Sequence, residues 1–230
     1  PVGICATGGG ADNGRINAFG VDYWTGIIRG GFSAVTLPME VPENGSHDGV
    51  FNMNPKEFNY MNLHLLQRSV HSYNGKTFAE LIHGGRCMIR TDIPLLGASD
   101  SEYQGRHVKG MDAKDMEEVI ALCVEFAHQA RRSGFDGIMM HFAHGWLFHD
   151  FLSPLSNHRA DEFGGSVENR CRFPLMVIKA IRETVGDNLL IELRINGSDA
   201  VEGGITPEEC AEQLKIFENE EFGSIRTVTR

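Results

Sequence analysis

The chain has 230 residues, 41% of them apolar, which is enough for one domain with a real core. A net charge of −10 argues against nucleic acid or an anionic membrane surface as the main partner, and no run approaches the ~18 apolar residues of a membrane span. Five cysteines, at 5, 87, 123, 171 and 210, show no CxxC spacing and read as free thiols in a reducing, cytoplasmic compartment.

The chain opens PVGICATGGG, with no initiator Met and no basic–apolar–small signal, so the N-terminus reads as trimmed. TGGGADNG (7–14) follows no visible strand and carries little weight as a dinucleotide fingerprint. SAVTLPM (33–39) is the first clear strand, a short apolar run of the kind found in parallel sheets covered on both faces. An amphipathic stretch over 55–74 precedes a second strand, TFAELI (77–82). The clearest helix is 112–133, where Met116, Ile120, Cys123, Ala127 and Ala130 recur at spacings of four and three. DGIMMHF (136–142), a helix over 167–185 and LLIELRI (189–195) follow. The last pair is a helix over 206–220, with Pro207 near its start after Thr206, and SIRTVT (224–229).

This β-α-β-α rhythm implies parallel strands joined by crossover helices, in an open doubly wound sheet or a (β/α)₈ barrel. Polar residues gather at strand C-termini: Glu80 and His83, His141 and His144, Arg194 and Asn196. Several strands delivering polar side chains at one end is how a barrel builds a site. The expected class is therefore α/β, a TIM (β/α)₈ barrel, incomplete, with about strands 2–6 present.

HFAHGW (141–146) places two histidines three apart with a tryptophan behind them. Three readings stay open on spacing alone. The pair could bind a metal, although no third ligand is obvious and HExxH is absent. The two could be structural histidines at a strand end. They could also be two donors aimed at one substrate oxygen, stabilising a developing enolate.

The run HFAHGWLFHDFLSPLSNHRADEFGGSVENRCRF strongly resembles the signature of the old yellow enzyme family of FMN-dependent oxidoreductases. AELIHGGR (79–86), RRSGFDGIMMH (131–141) and LRINGSD (193–199) resemble it too, in order along the chain. The resemblance implies a single FMN-binding TIM-barrel domain over 1–230, truncated at both ends. It implies hydride passing from NADH or NADPH through FMN to the activated C=C of an α,β-unsaturated carbonyl compound. His141 and His144 match the pair that binds the substrate carbonyl. Arg194 matches the arginine beside the flavin N1–C2=O edge, and Pro1, Val2 and Gly3 match the strand whose backbone contacts the flavin ring. An enone-like small molecule is the expected partner, with no nucleic acid or membrane and with a homo-oligomer left open. The alternatives are a metal-dependent lyase or hydrolase using the same histidines, or a non-catalytic truncated barrel.

Departures from the family pattern sharpen the expectations. Trp146 stands where many members carry a proton-donating tyrosine; an indole N–H is only a donor, so the proton must come from water or another residue. Trp146 is then expected to shape the pocket and stack on the substrate. Glu80 replaces a glutamine that bonds the flavin pyrimidine edge; its charge tunes the flavin, or else it simply pairs with Arg194. The family's phosphate site lies near strands seven and eight, which are missing here. An iron–sulfur cluster and FAD would belong only to a longer native chain. Arg159, Asp161, Glu168 and Arg170 are expected to knit loop to helix around a Gly164–Gly165 turn. His149 and His158 read as loop residues, His71 as structural, and Cys5 and Cys87 as bystanders.

Overall fold

The computed structural model describes residues 3–5, 11–12, 15–41, 60–88, 92–218 and 224–228, with side chains over 15–41, 60–88 and 92–218. In chain order come β1 (Gly3–Cys5), β2 (Ala11–Asp12), β3 (Arg15–Ile16), α1 (Ala18–Arg29), β4 (Ala34–Glu40), α2 (Tyr60–Ser72) and β5 (Lys76–Ile82). Next are β6 (Leu95–Gly97), β7 (Ser101–Tyr103), β8 (Arg106–Gly110), α3 (Ala113–Arg132) and β9 (Gly137–Phe142). The remainder is α4 (Leu147–Leu152), α5 (Val167–Val185), β10 (Leu190–Asn196), α6 (Pro207–Glu218) and β11 (Ser224–Val228).

The main sheet runs β1-β4-β5-β9-β10-β11, every neighbouring pair parallel. The five strands expected from apolar runs are all present within one or two residues, and a short sixth, β1, joins them. The glycine run at 8–10 does therefore follow a strand, contrary to the sequence reading. It opens no helix, because β2 and β3 intervene before α1. Pro1 and Val2 lie outside the described residues; Gly3 pairs in register with Ala34.

The helices start where local chemistry dictates. Asp112 accepts from the Asp115 N–H while the Asp115 carboxylate accepts from the Asp112 N–H, a reciprocal capping box on α3. Ser166 caps α5, and Thr206 Oγ1 accepts from the Glu209 N–H at the start of α6. Helix α1 is capped by Asn17 and was not marked by the sequence pattern. Its apolar stripe buries Trp24 and Ile28 against Leu37, Leu66 and Val70 in one continuous core, which reaches Phe126, Phe142, Phe148, Phe173 and Phe217. A separate three-stranded sheet, β6-β8-β7, carries its own small cluster of Met88, Leu95 and Val108. It too escaped the sequence reading, because strands of three to five residues carry no usable period.

Alternation along each strand sorts its residues. On β10, Ile191, Leu193 and Ile195 pack into the core under the helices, while Glu192, Arg194 and Asn196 share the opposite face. Parallel strands begin and end together, so polar residues near the C-termini of β5, β9 and β10 meet at one rim.

Candidate active site

Register brings the expected residues together. Arg194 on β10 lies opposite His141 on β9, and Glu80 on β5 lies opposite Met139, two residues before His141. The Glu80 Oε1 atom is 2.7 Å from His141 Nδ1 and 3.0 Å from Arg194 Nη1. One carboxylate oxygen thus joins three strands, and the Glu80–Arg194 ion pair considered from sequence is present. On its other side, His141 Nε2 lies 3.0 Å from His144 Nδ1. The Glu80 and His141 side chains are 2% and 5% exposed, so this chain of bonds is shielded from water. Trp146 stands edge-on to His141, with 5.8 Å between ring centroids.

His144 and Gly145 are both left-handed, at φ +62° and +80°. A non-glycine residue in that region costs of order 1 kcal/mol and needs support. Support comes from the two backbone N–H groups of the turn. The His144 N–H donates to Asn196 Oδ1 at 3.2 Å, and the Gly145 N–H donates to His149 Nδ1 at 3.1 Å. Asn196 Nδ2 and His149 Nε2 both donate to Asp199 Oδ1, at 3.0 and 2.8 Å. Asp199 Oδ2 accepts from Ser153 Oγ at 2.7 Å and from the Ile205 N–H at 3.0 Å. Burial alone would raise the Asp199 carboxyl; the bonds from His149, Asn196, Ile205 and Ser153 outweigh it and hold the group well below the usual carboxylate range.

This network corrects one expectation. His149 is no loop residue: it sits buried inside α4, whose six residues are too few to show a helical period. Asp199 and Ser153 were missed, although the run LRINGSD contains Asp199 and pointed to that loop. Sequence distance hid the rest, since Ser153, just after α4, and Asp199, just after β10, are 46 residues apart and meet through a side-chain hydrogen bond.

Other expectations meet the structure more simply. Arg159 pairs with Asp161 and donates to the Ala98 and Met111 carbonyls, fastening the long loop to the small sheet. Arg170 donates to the Leu152 and Gly165 carbonyls and pairs with Glu209, and Glu168 bonds Ser166. Gly165 is left-handed, and a Cβ on Gly164 would sit 2.3 Å from the Arg159 carbonyl oxygen, so the turn needs both glycines. His158 is in the loop, and His71 pairs with Asp136 at 2.8 Å. Cys87 Sγ donates to the Gly145 carbonyl at 3.2 Å; the Cys5 side chain lies outside those described. Arg86 stacks on Tyr103 and approaches buried Asp150 at 3.0 Å, an ion pair without hydrogen-bond alignment. Burial raises the Asp150 carboxyl against that charge.

His83 closes β5 and is fully buried. Its Nδ1 accepts from the Gly85 N–H, which leaves the proton on Nε2, and Nε2 has no hydrogen-bond partner among the described residues. Burial pushes its pKa down from 6.5 to about 4. The folded state therefore binds fewer protons than the unfolded chain between those values, and stability falls as pH falls from 6.5 towards 4. Comparing urea unfolding of the protein with that of His83→Gln should show their difference shrink or reverse by about 3 kcal/mol between pH 7 and 4. A pH-independent difference would rule out a neutral buried ring.

These residues suit a planar heterocycle with both donor and acceptor edges. Glu80 accepts, Arg194 is a permanent cation with 24% of its side chain exposed, and His83 Nε2–H is a buried donor at the same rim. Among the described residues no group of three or more His, Cys, Asp or Glu is placed to hold a metal.

Comparison with known proteins agrees. The chain is 32% identical to an NADH oxidase of Thermoanaerobacter brockii over 214 residues, covering 90% of this chain and 33% of that protein. It is 35% identical to an NADPH dehydrogenase of Clostridium acetobutylicum over 218 residues, 91% and 63% of the two chains. A cinnamate reductase of Clostridium sporogenes is 29% identical over 230 residues, 93% and 34%. The chain thus spans between a third and just under two thirds of these relatives. The old yellow enzyme homologue of Zymomonas mobilis superposes with a TM-score of 0.85 at 19% identity, covering 99% of this chain and 69% of that one, which establishes the barrel fold. The sequence profile of the NADH:flavin oxidoreductase / NADH oxidase family matches residues 15–225. This chain belongs to that family of FMN-dependent, nicotinamide-linked oxidoreductases.

Proposed function

We propose that the chain is the site-bearing part of an FMN-binding barrel that reduces the activated C=C of α,β-unsaturated carbonyl compounds with NADH or NADPH. The observation that carries this reading is the convergence of Glu80, His141, His144 and Arg194 from three adjacent strands onto one linked set of bonds. When bound, FMN accepts hydride from the nicotinamide and supplies it to carbon. Arg194 would set a fixed positive charge beside the flavin pyrimidine edge, and Glu80 would accept from the ring N–H there. By the family resemblance, the backbone at Pro1, Val2 and Gly3 would contact the ring. His141 and His144 act in series on the substrate carbonyl, His144 presenting the N–H and His141 backing it, so the β-carbon becomes electrophilic. Trp146, edge-on to His141, bounds the pocket with a flat apolar wall. That the Clostridium sporogenes relative is a cinnamate reductase supports this substrate class. The metal-dependent alternative lacks a ligand set among the described residues.

Visible absorbance tests the reading. The purified protein incubated with FMN should keep a flavin band through desalting and melt at a higher temperature. NADH or NADPH should bleach the band anaerobically, and a simple enone should restore it. A protein that melts cooperatively but neither retains FMN nor gains stability from it would overturn the proposal.

A further inference from the structure

This inference rests on the alkene-reducing function proposed above and concerns its second half. Hydride arriving at the β-carbon forms one C–H bond and moves the alkene electron pair onto the α-carbon and carbonyl oxygen. The α-carbon must then take a proton. NAD(P)H supplies the hydride, and some group at the rim must supply the proton.

The neighbours can be taken in turn. The Trp146 indole is a donor but no acid. The Cys87 thiol is directed at the Gly145 carbonyl. His83 is held neutral by burial and has its Nδ1 engaged by the Gly85 N–H. Arg194 does not release its proton near neutral pH. Among the described residues that leaves the two histidines, and proton counting along their bonds is restrictive. A carboxylate only accepts, so the 2.7 Å contact with Glu80 puts a proton on His141 Nδ1. A neutral His141 then has a bare Nε2, so the 3.0 Å contact with His144 needs its proton on His144 Nδ1. Both rings are thereby fixed as the Nδ1–H tautomer. One further proton can enter only at His144 Nε2. It can leave from there without either ring turning over.

We propose that His144 is the acid that protonates the α-carbon, with His141 and Glu80 as positioning residues that fix its tautomer and face its positive charge. The His144 N–H becomes a neutral ring nitrogen as the new C–H bond forms, and solvent restores the proton, since His144 is partly exposed. Glu80 is the anion behind the pair. Arg194 shares the same Glu80 oxygen and partly offsets that anion, which keeps the proton transferable instead of locking it in place. The backbone at His144 is held in its left-handed turn by Asn196, so the ring has one approach.

Two measurements test this. Ring ¹⁵N shifts of the flavin-free protein at neutral pH should show both His141 and His144 as Nδ1–H tautomers, the less common form in free imidazole. Finding Nε2–H on both would overturn the arrangement whatever the variants do. The FMN-loaded protein is then given NADPH and a nitroalkene, whose carbanion persists in water as a nitronate, so hydride transfer and carbon protonation can be read separately. The parent should release nitroalkane. His144→Gln, which keeps a side-chain donor but no acid, should consume nitroalkene more slowly and raise the nitronate fraction at least tenfold. The parent's product ratio in His144→Gln would overturn this inference alone. A parent protein bleached by NADPH that consumes no alkene would overturn the proposed function, and this inference with it.

Discussion

His141→Ala should lower kcat/KM for an enone by about 10²–10³-fold, equivalent to about 3–4 kcal/mol of transition-state stabilisation lost with one charge-stabilising donor. The fall should be mainly in kcat, because negative charge on the carbonyl oxygen develops only as hydride arrives. Two effects add in this variant. His144 loses the ring that fixes its tautomer, and its N–H loses the Glu80-backed dipole that strengthens it towards the substrate oxygen. Glu80 keeps Arg194 as a partner, so the buried carboxylate is not abandoned and the fold should survive. Bleaching by NADPH should be nearly unchanged, since that half of the cycle does not involve the substrate oxygen. His141→Gln should recover part of the loss by restoring an acceptor for the His144 Nδ1–H. Stopped-flow traces of both half-reactions, with thermal melts alongside, check this. Equal losses in both half-reactions, tracking a lowered melting temperature, would mean that His141 merely packs beneath the site.

The strands and the polar rim were legible in the sequence because parallel strands buried on both faces leave short apolar runs, and the residues that follow each run are exposed at one end by construction. Glu80, His141 and Arg194 could be assigned to a common rim on that ground alone. Their bonding could not. Nothing in the residue order places His141 Nε2 against His144 Nδ1, because that contact depends on the left-handed turn at His144–Gly145. The turn in turn depends on Asn196 and His149, 52 and 4 residues away. Reading the pair as two parallel donors followed from spacing; finding them in series follows from backbone geometry. Helix α4 and the small sheet stayed hidden for a different reason, being too short for any period to show.

Glutamate at position 80 gains a fuller meaning from the contacts. A glutamine there could donate to a flavin carbonyl and accept from a histidine, but it would carry no charge. Glu80 instead supplies one anion to two neighbours, the Arg194 guanidinium and the His141 ring. The departure from the family pattern at Trp146 removes one acid. The departure at Glu80 sets a carboxylate behind another. These two substitutions, 66 positions apart, make chemical sense together.

Asp199→Ala should destabilise the fold by about 3–5 kcal/mol, the range for removing one partner of a buried charged network. Four donors converge on this carboxylate: His149 Nε2, Asn196 Nδ2, Ser153 Oγ and the Ile205 N–H. Its side chain is 6% exposed, so water cannot readily take its place. Each abandoned donor carries a desolvation cost of about 1–3 kcal/mol, partly relieved by relaxation. Asp199→Asn should cost less, keeping one acceptor while turning an amide N–H₂ towards two donors. The depressed carboxyl sets the sign of the pH dependence: its contribution is fully present above about pH 4 and is lost as pH falls below that value. Asp199→Ala should therefore show a shallower loss of stability in acid than the parent. The consequence for the site is more diagnostic than the melt. Without Asp199, neither Asn196 nor His149 is held, and the His144–Gly145 turn loses both of its supports. His144 ring resonances should broaden or shift, and kcat for alkene reduction should fall while FMN retention persists. Urea unfolding within about 0.5 kcal/mol of the parent would remove Asp199 from its role as keystone of the turn. A full loss of stability with unshifted His144 resonances would assign it to holding α4 against β10 and nothing more.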